Sequence, residues 1–294
     1  MKKVICFGEV LWDLFPEARK PGGAPMNVAF HLAKLGAAPL LISAVGTDPD
    51  GEALIAFLED NGLDTTYVDR LEQFPTGTVD VSLDGEGKAA YTINRPVAWD
   101  AIAYRETWDR IVPAADALVF GSLAGREQAS WMTLQRLLTM AKLKIFDMNL
   151  RPPYADPVKL NVLLHHSDVL KINDEELVYL RKICGLGGTD PDVLSAISRL
   201  YAIPVICLTR GADGAGVWTP SGWISHPGYR INVKDTVGSG DAFLAAFIYG
   251  LLDGQPWELI LKRSNAIGAL VAGKNGASPA YSESEIQNLI AANF

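Results

Sequence analysis

Asp235-Thr236-Val237-Gly238-Ser239-Gly240-Asp241 runs straight into residues 242–252, the most continuously apolar helical segment of the chain. Two glycines separated by a serine leave backbone amides free to point at an anion, and a helix opening just after them adds the positive end of its dipole. That geometry suits a phosphate. Asp241 stands at the helix mouth, where a carboxylate stays ionised at neutral pH and can accept a proton from a hydroxyl beside the phosphate. Phosphoryl transfer to an alcohol is the reading to test against the rest of the chain. An Asp N-cap after a Gly-rich turn gives the same local pattern.

The chain has 294 residues, a net charge of -8, 49% hydrophobic and 20% charged residues, enough for one large domain or two ordinary ones with a full core. Lys and Arg are scattered, which argues against nucleic acid or an anionic membrane as partner and in favour of a small metabolite. The apolar start at Val4 is broken at once by Gly8 and Glu9, so no signal peptide is expected, and the apolar run at 243–252 falls short of the roughly 20 residues that span a bilayer. Cys6, Cys184 and Cys207 show no Cys-x-x-Cys spacing, so neither a disulfide framework nor a zinc site is indicated. A soluble cytoplasmic protein is the expectation.

Lys3–Phe7 reads as a buried strand, and 10–15 continues in extended form with Asp13 embedded among Leu11, Trp12, Leu14 and Phe15. An ionisable group in an apolar run is costly unless paired or used. Pro21-Gly22-Gly23-Ala24-Pro25-Met26-Asn27 then leads into a helix stopped at Gly36, with Asn27 in its first turn, where surface capping is the plain alternative to a functional role. A strand at 40–45 and a helix at 48–61 follow. From 66 to 93 the texture is of short alternating strands, as in a small antiparallel sheet turning at Asp84-Gly85-Glu86-Gly87. Its Gly85-x-Gly87-x-x-Ala90 matches a dinucleotide fingerprint in form only, because it opens no helix.

Beyond Trp99 strands alternate with helices, implying a mostly parallel sheet covered on both faces. In such sheets ligands bind at the carboxyl ends of the strands. Three apolar strands end in polar groups: Asp147-Met148-Asn149-Leu150-Arg151, Lys171-Ile172-Asn173-Asp174-Glu175-Glu176 and Leu208-Thr209-Arg210-Gly211. Any one of them could be an ordinary strand-ending turn; all three point to the edge that carries Asp241.

With these residues in view the chain resembles the ribokinase-like (PfkB-type) carbohydrate kinases over nearly its whole length. One signature is Gly22-Gly23-Ala24-Pro25-Met26-Asn27-Val28-Ala29, continuing to Val45-Gly46-Thr47-Asp48, and the other is the stretch 235–241. The resemblance implies a single α/β kinase domain over 1–294, with small-sheet lid strands inserted at about 10–20 and 66–100. It implies Asp241 as general base, with Gly238, Ser239 and Gly240 forming an anion hole. Asp13, Gly23, Asn27, Tyr91, Arg95 and Arg151 would hold the sugar, and Asn173, Thr209, Gly211, Gly214, Asn265 and Gly276 the ATP. Asn173 and Glu176 would position Mg²⁺ through water, and Asp235, Val237 and Gly276 match the family's K⁺ position. A homodimer formed through the lid is also implied, since relatives commonly cover the exposed lid with a second one.

The elements Phe120-Gly121-Ser122, Asp147-x-Asn149-x-Arg151 and Val97-Ala98-Trp99-Asp100 are similar to those of bacterial fructokinases, which favours D-fructose. Tyr91-Thr92-Ile93-Asn94-Arg95 carries part of the pattern of 2-keto-3-deoxygluconate kinases, so a sugar-acid kinase is the alternative. An inactive sugar-binding regulator has no reason to keep Asp241 with both glycines.

Overall fold

Val4, Ile5, Cys6 and Phe7 are all fully buried, as a central parallel strand with helices on both faces requires. They lie in β1 (Lys3–Phe7) of a computed structural model that describes residues 1–83 and 89–292; the expected turn at 84–87 and its glycine pattern lie outside the described residues. The chain continues through β2 (Leu11–Phe15), β3 (Ala18–Gly22), α1 (Ala24–Lys34), β4 (Ala38–Gly46), α2 (Pro49–Asp60), β5 (Val68–Leu71), β6 (Gly77–Leu83), β7 (Ala89–Ile93) and the short α3 (Trp108–Ile111). Then come β8 (Ala117–Gly121), α4 (Gln128–Met140), β9 (Lys144–Asp147), α5 (Pro157–His165), β10 (Val169–Asn173), α6 (Asp174–Cys184) and α7 (Asp190–Tyr201). The last elements are β11 (Val205–Thr209), β12 (Ala215–Thr219), β13 (Gly222–His226), α8 (Ser239–Leu252), α9 (Trp257–Ala272) and α10 (Glu283–Ala291).

Nine strands form a large sheet in the order β13-β12-β11-β10-β9-β8-β1-β4-β5. All neighbours are parallel except the β11-β12-β13 end, which is antiparallel. Successive residues of β1 face opposite layers. Ile5 and Phe7 pack with Ile42, Phe120, Phe146 and Ile172 on one side, while Val4 and Cys6 pack with α1, α2 and α8 on the other. The second sheet has four strands in the order β3-β2-β6-β7, with β2 and β6 parallel and the outer pairs antiparallel.

Two expectations are corrected. The stretch 66–93 is not one small antiparallel sheet: Val68 pairs in parallel with Ser43, so β5 closes a β4-α2-β5 crossover at the edge of the large sheet. In the small sheet β3 runs past the expected lid span of 10–20 to Gly22, an end the sequence hides because Ala-Arg-Lys-Pro-Gly has no apolar alternation. Its proline is tolerated there because β3 is an edge strand.

Candidate active site

Gly238, with φ 75°, caps α8, and a Cβ there would sit 2.5 Å from the Ala277 Cα, so only glycine fits between loop and neighbour. Ser239 N and Oγ both turn back to the Thr236 carbonyl, at 3.2 and 2.8 Å. The Gly238 and Gly240 amides meet no acceptor among the described residues. They stand at the amino end of a 14-residue helix, where partial positive charge gathers.

Asp241 follows in the first turn. Asn27 Nδ2, from α1, donates to its Oδ2 at 2.8 Å and joins the two signatures across 214 positions. Burial pushes the Asp241 carboxyl up to about 6; Asp147 adds to the rise, while the Asn27 hydrogen bond, Lys171 and Arg151 hold it back. Such a group is ionised at neutral pH and basic enough to take a proton.

Asp13 lies on β2. Burial raises its carboxyl to about 6, against the pull of Arg151 and Lys20 and with a push from Asp235. Gly22 makes room for it, since a Cβ there would lie 2.5 Å from Asp13 Oδ2. Gly23, at φ 116°, caps α1 where a Cβ would meet the Glu9 carbonyl at 2.3 Å. Asn27 is buried and its Oδ1 has no donor. Arg151 is exposed, and its charge lowers the pKa of Asp13, Glu9 and Asp241 alike. Tyr91 is 57% exposed on β7, where the register puts it on the face of the small sheet that carries Asp13, and Arg95 pairs with Glu127 at 3.0 Å.

On the other side of the loop opens a cavity of about 510 Å³. Thr209, Gly211, Gly214 and Asn265 line it, together with Thr236, Ser239 and Gly240, and Phe243, Ala269 and Val233 supply apolar walls. Asn173 and Gly276 are not on its lining. Asn173 and Glu176 form a capping box at the start of α6: Asn173 Oδ1 accepts from Glu176 N and Glu176 Oε2 from Asn173 N, both at 2.9 Å, while Glu176 Oε1 accepts from Leu150 N at 2.8 Å. Burial raises the Glu176 carboxyl, and Lys171 opposes the rise. Gly276 N donates to Asp235 Oδ2 at 3.1 Å.

Two groups of the site, Glu9 and Lys20, went unread in the sequence, and Lys171 stood in one of the polar strand ends without a role. Lys171 is buried on β10 and pairs with buried Asp147 at 2.9 Å. Burial alone would lower its pKa, but Asp147, Glu176 and Asp241 overcome that and hold the ammonium charged. Glu9, 3% exposed, has a carboxyl pushed up to about 7 by burial and by Asp241, while Arg151 and the Glu9 and Ala24 amides counter the rise; its Oε2 has no partner. Lys20 pairs with Asp235 at 3.2 Å. The rule that singled out Asp13 applies equally to Lys171, a charge inside an apolar strand.

Residues 1–284 match the sequence profile of the pfkB family carbohydrate kinases. The chain belongs to that family. This carbohydrate kinase is 31% identical to the fructokinase of Escherichia coli over 95% of each chain. It is 30% identical to the ATP-dependent ribose-1-phosphate kinase of Halopiger xanaduensis over 100% of each. Fructokinase from Xylella fastidiosa with bound ATP has a TM-score of 0.85 to it, with 26% identity and coverage of 99% of this chain and 98% of that one. A double mutant of fructokinase from Vibrio cholerae O395, in a form with fructose, ADP and potassium ion bound, reaches 0.82 at 26% identity over 99% and 98%. The kinase therefore has the ribokinase-like α/β fold expected from its sequence: a large, mostly parallel sheet with a small sheet beside it. No helix among the described residues is long and apolar enough to cross a membrane.

Proposed function

We propose that this sugar kinase transfers the terminal phosphoryl group of ATP to D-fructose, giving D-fructose 6-phosphate and ADP. The observation that carries the reading is the Asn27–Asp241 hydrogen bond of 2.8 Å, which sets a raised-pKa carboxylate between a polar pocket and an anion-binding helix end. Asp241 takes the proton of the sugar hydroxyl as its oxygen attacks the phosphorus and the bond to the ADP oxygen breaks. The Gly238 and Gly240 amides and the start of α8, with Ser239 in the same turn, stabilise the charge on the transferred group. Asp13 accepts from paired sugar hydroxyls, the unfilled Asn27 Oδ1 from another, and Arg151 donates. Thr209, Gly211, Gly214 and Asn265 hold the nucleotide in the 510 Å³ cavity, its base against the apolar walls.

Each Glu176 oxygen keeps a lone pair after its backbone hydrogen bond, and with Asn173 this hard-oxygen set fits Mg²⁺ held through water. The ion would neutralise phosphate oxygens. Arg95 is paired with Glu127, so a sugar carboxylate would have to displace that partner; this favours a neutral sugar over a sugar acid. The whole chain acts as one kinase domain, with the small sheet as lid over the sugar, in the cytoplasm.

A coupled assay of ADP release over fructose, ribose, ribose 1-phosphate, 2-keto-3-deoxygluconate and adenosine tests this. Fructose should give the highest kcat/KM, and Arg95→Ala should change it little. A higher kcat/KM on the keto acid, lost in Arg95→Ala, would transfer the assignment to a sugar-acid kinase.

A further inference from the structure

We infer that His31 is a positioning residue for phosphoryl transfer: from the helix that orients the base, it holds the backbone against which Gly238 and its anion loop rest. For turnover the inference rests on the function proposed above. Asn27 and His31 lie four residues apart on α1 and so share one face, and both are buried. Asn27 turns to Asp241 Oδ2. His31, at 0% exposure, turns to the segment after α9: its Nε2 meets the Ala277 carbonyl at 2.9 Å and its Nδ1 the Tyr281 hydroxyl at 3.1 Å.

A carbonyl only accepts, so Nε2 carries the proton and Nδ1 accepts from Tyr281 Oη. This is the neutral ring, and its surroundings keep it neutral: burial lowers its pKa to about 4, the Ala277 bond opposes the fall and Lys34 adds to it. The rings of His31 and Tyr281 stack at 5.6 Å, and Lys34, further along the same helix, donates to the Pro279 carbonyl at 3.1 Å. The residues held in this way are the ones the loop leans on. The Ala277 oxygen bonded to His31 lies 2.6 Å from the point a Gly238 Cβ would occupy, and the preceding amide, Gly276 N, donates to Asp235 Oδ2 at 3.1 Å. One helix therefore orients the base through Asn27 and the wall of the anion loop through His31.

His31→Phe keeps the ring stack and removes the Nε2 donor; His31→Gln keeps a donor; Tyr281→Phe loosens the same link from the other side without a new group in the core. Each protein is assayed for kcat and KM and, free of ligand, for amide hydrogen exchange over 236–241. His31→Phe should lose about tenfold in kcat with the KM values for fructose and ATP within about twofold, and its 236–241 amides should exchange about tenfold faster. His31→Gln should regain most of both, and Tyr281→Phe should show the same split at about threefold. The last variant decides if His31→Phe does not fold. Exchange needs no turnover, so a wild type that phosphorylates none of the sugars would refute the function proposed above and leave exchange to decide this inference. A folded His31→Phe or Tyr281→Phe protein with wild-type kcat or wild-type exchange at the loop, or a loss confined to KM, overturns it.

Discussion

At Asp241 one carboxylate is asked both to stay charged and to be basic, and its surroundings show how both are met. Burial and Asp147 raise it, and the Asn27 bond with Lys171 and Arg151 stops the rise near 6. Asp241→Asn should therefore lower ATP-dependent phosphorylation by about 10²- to 10⁴-fold while fructose still binds, as turnover assays and calorimetry would show. In the wild type the proposed base works only when ionised, so kcat/KM should hold above pH 6 and fall about tenfold per unit below it, following a group that titrates near 6. Glu9 gives the opposite sign for stability. Its carboxyl is raised from 4.5 to about 7, so the folded state binds a proton that the unfolded chain releases, and stability is lost as pH climbs through that window. The shift is worth about 3 kcal/mol. Glu9→Gln, which can still accept from the Ala24 amide, should be more stable than wild type at pH 8 by up to that amount and equal to it at pH 4, as urea unfolding at the two pH values would measure. Asp13 was legible because a lone carboxylate in an apolar strand demands a use. Glu9 was not, because a Gly-Glu pair after a strand reads as an ordinary turn until its burial is known.

At the scale of elements, local chemistry announced the helices well. Pro49 after an Asp48 cap, the αL residue Gly36 after α1 and the Asn173–Glu176 box before α6 each mark an end through a backbone group that must be satisfied. The sheet that β5 joins and the full span of β3 were hidden for a different reason. Each strand is short and half polar, and each is defined by the partner it adds to, not by its own pattern. The turn into α8 belongs to this scale too, because its shape is set by packing against residue 277. Gly238→Ala would force a non-glycine residue to φ 75° and drive its Cβ to within 2.5 Å of the Ala277 Cα. The left-handed conformation alone costs about 1 kcal/mol. We expect the variant to fold with a lowered melting temperature and to lose kcat far more than sugar affinity, since the displaced amides serve the transferred group; a loss confined to the fructose KM would remove Gly238 from the anion hole.

For the molecule as a whole, the proposed sugar side draws on two sheets that share no backbone pairing among the described residues. Asp13 and Lys20 belong to the small sheet, and Asn27, Arg151 and Asp241 to the large one and its helices. The small sheet returns to the body at residues 93–95, where Tyr154 Oη donates to the Ile93 carbonyl at 2.8 Å and Arg126, in a buried pair with Asp100, donates to the Asn94 carbonyl at 2.6 Å. We propose that the lid also carries a homodimer contact, which light scattering at micromolar concentration would test; a monomer alone would remove it. A ligand that contacts both sheets must stabilise their association in proportion to its binding. At a concentration 100-fold above its Kd, fructose should add about 2.7 kcal/mol to stability. In a chain of this size that is a rise of roughly 4 °C in melting temperature. Asp13→Ala removes the carboxylate of the small sheet and leaves the nucleotide cavity untouched. It should therefore abolish the fructose shift and keep the shift produced by ADP. If Asp13→Ala keeps the full fructose shift, the sugar is held by the large sheet alone and the small sheet is a cover that does not bind it.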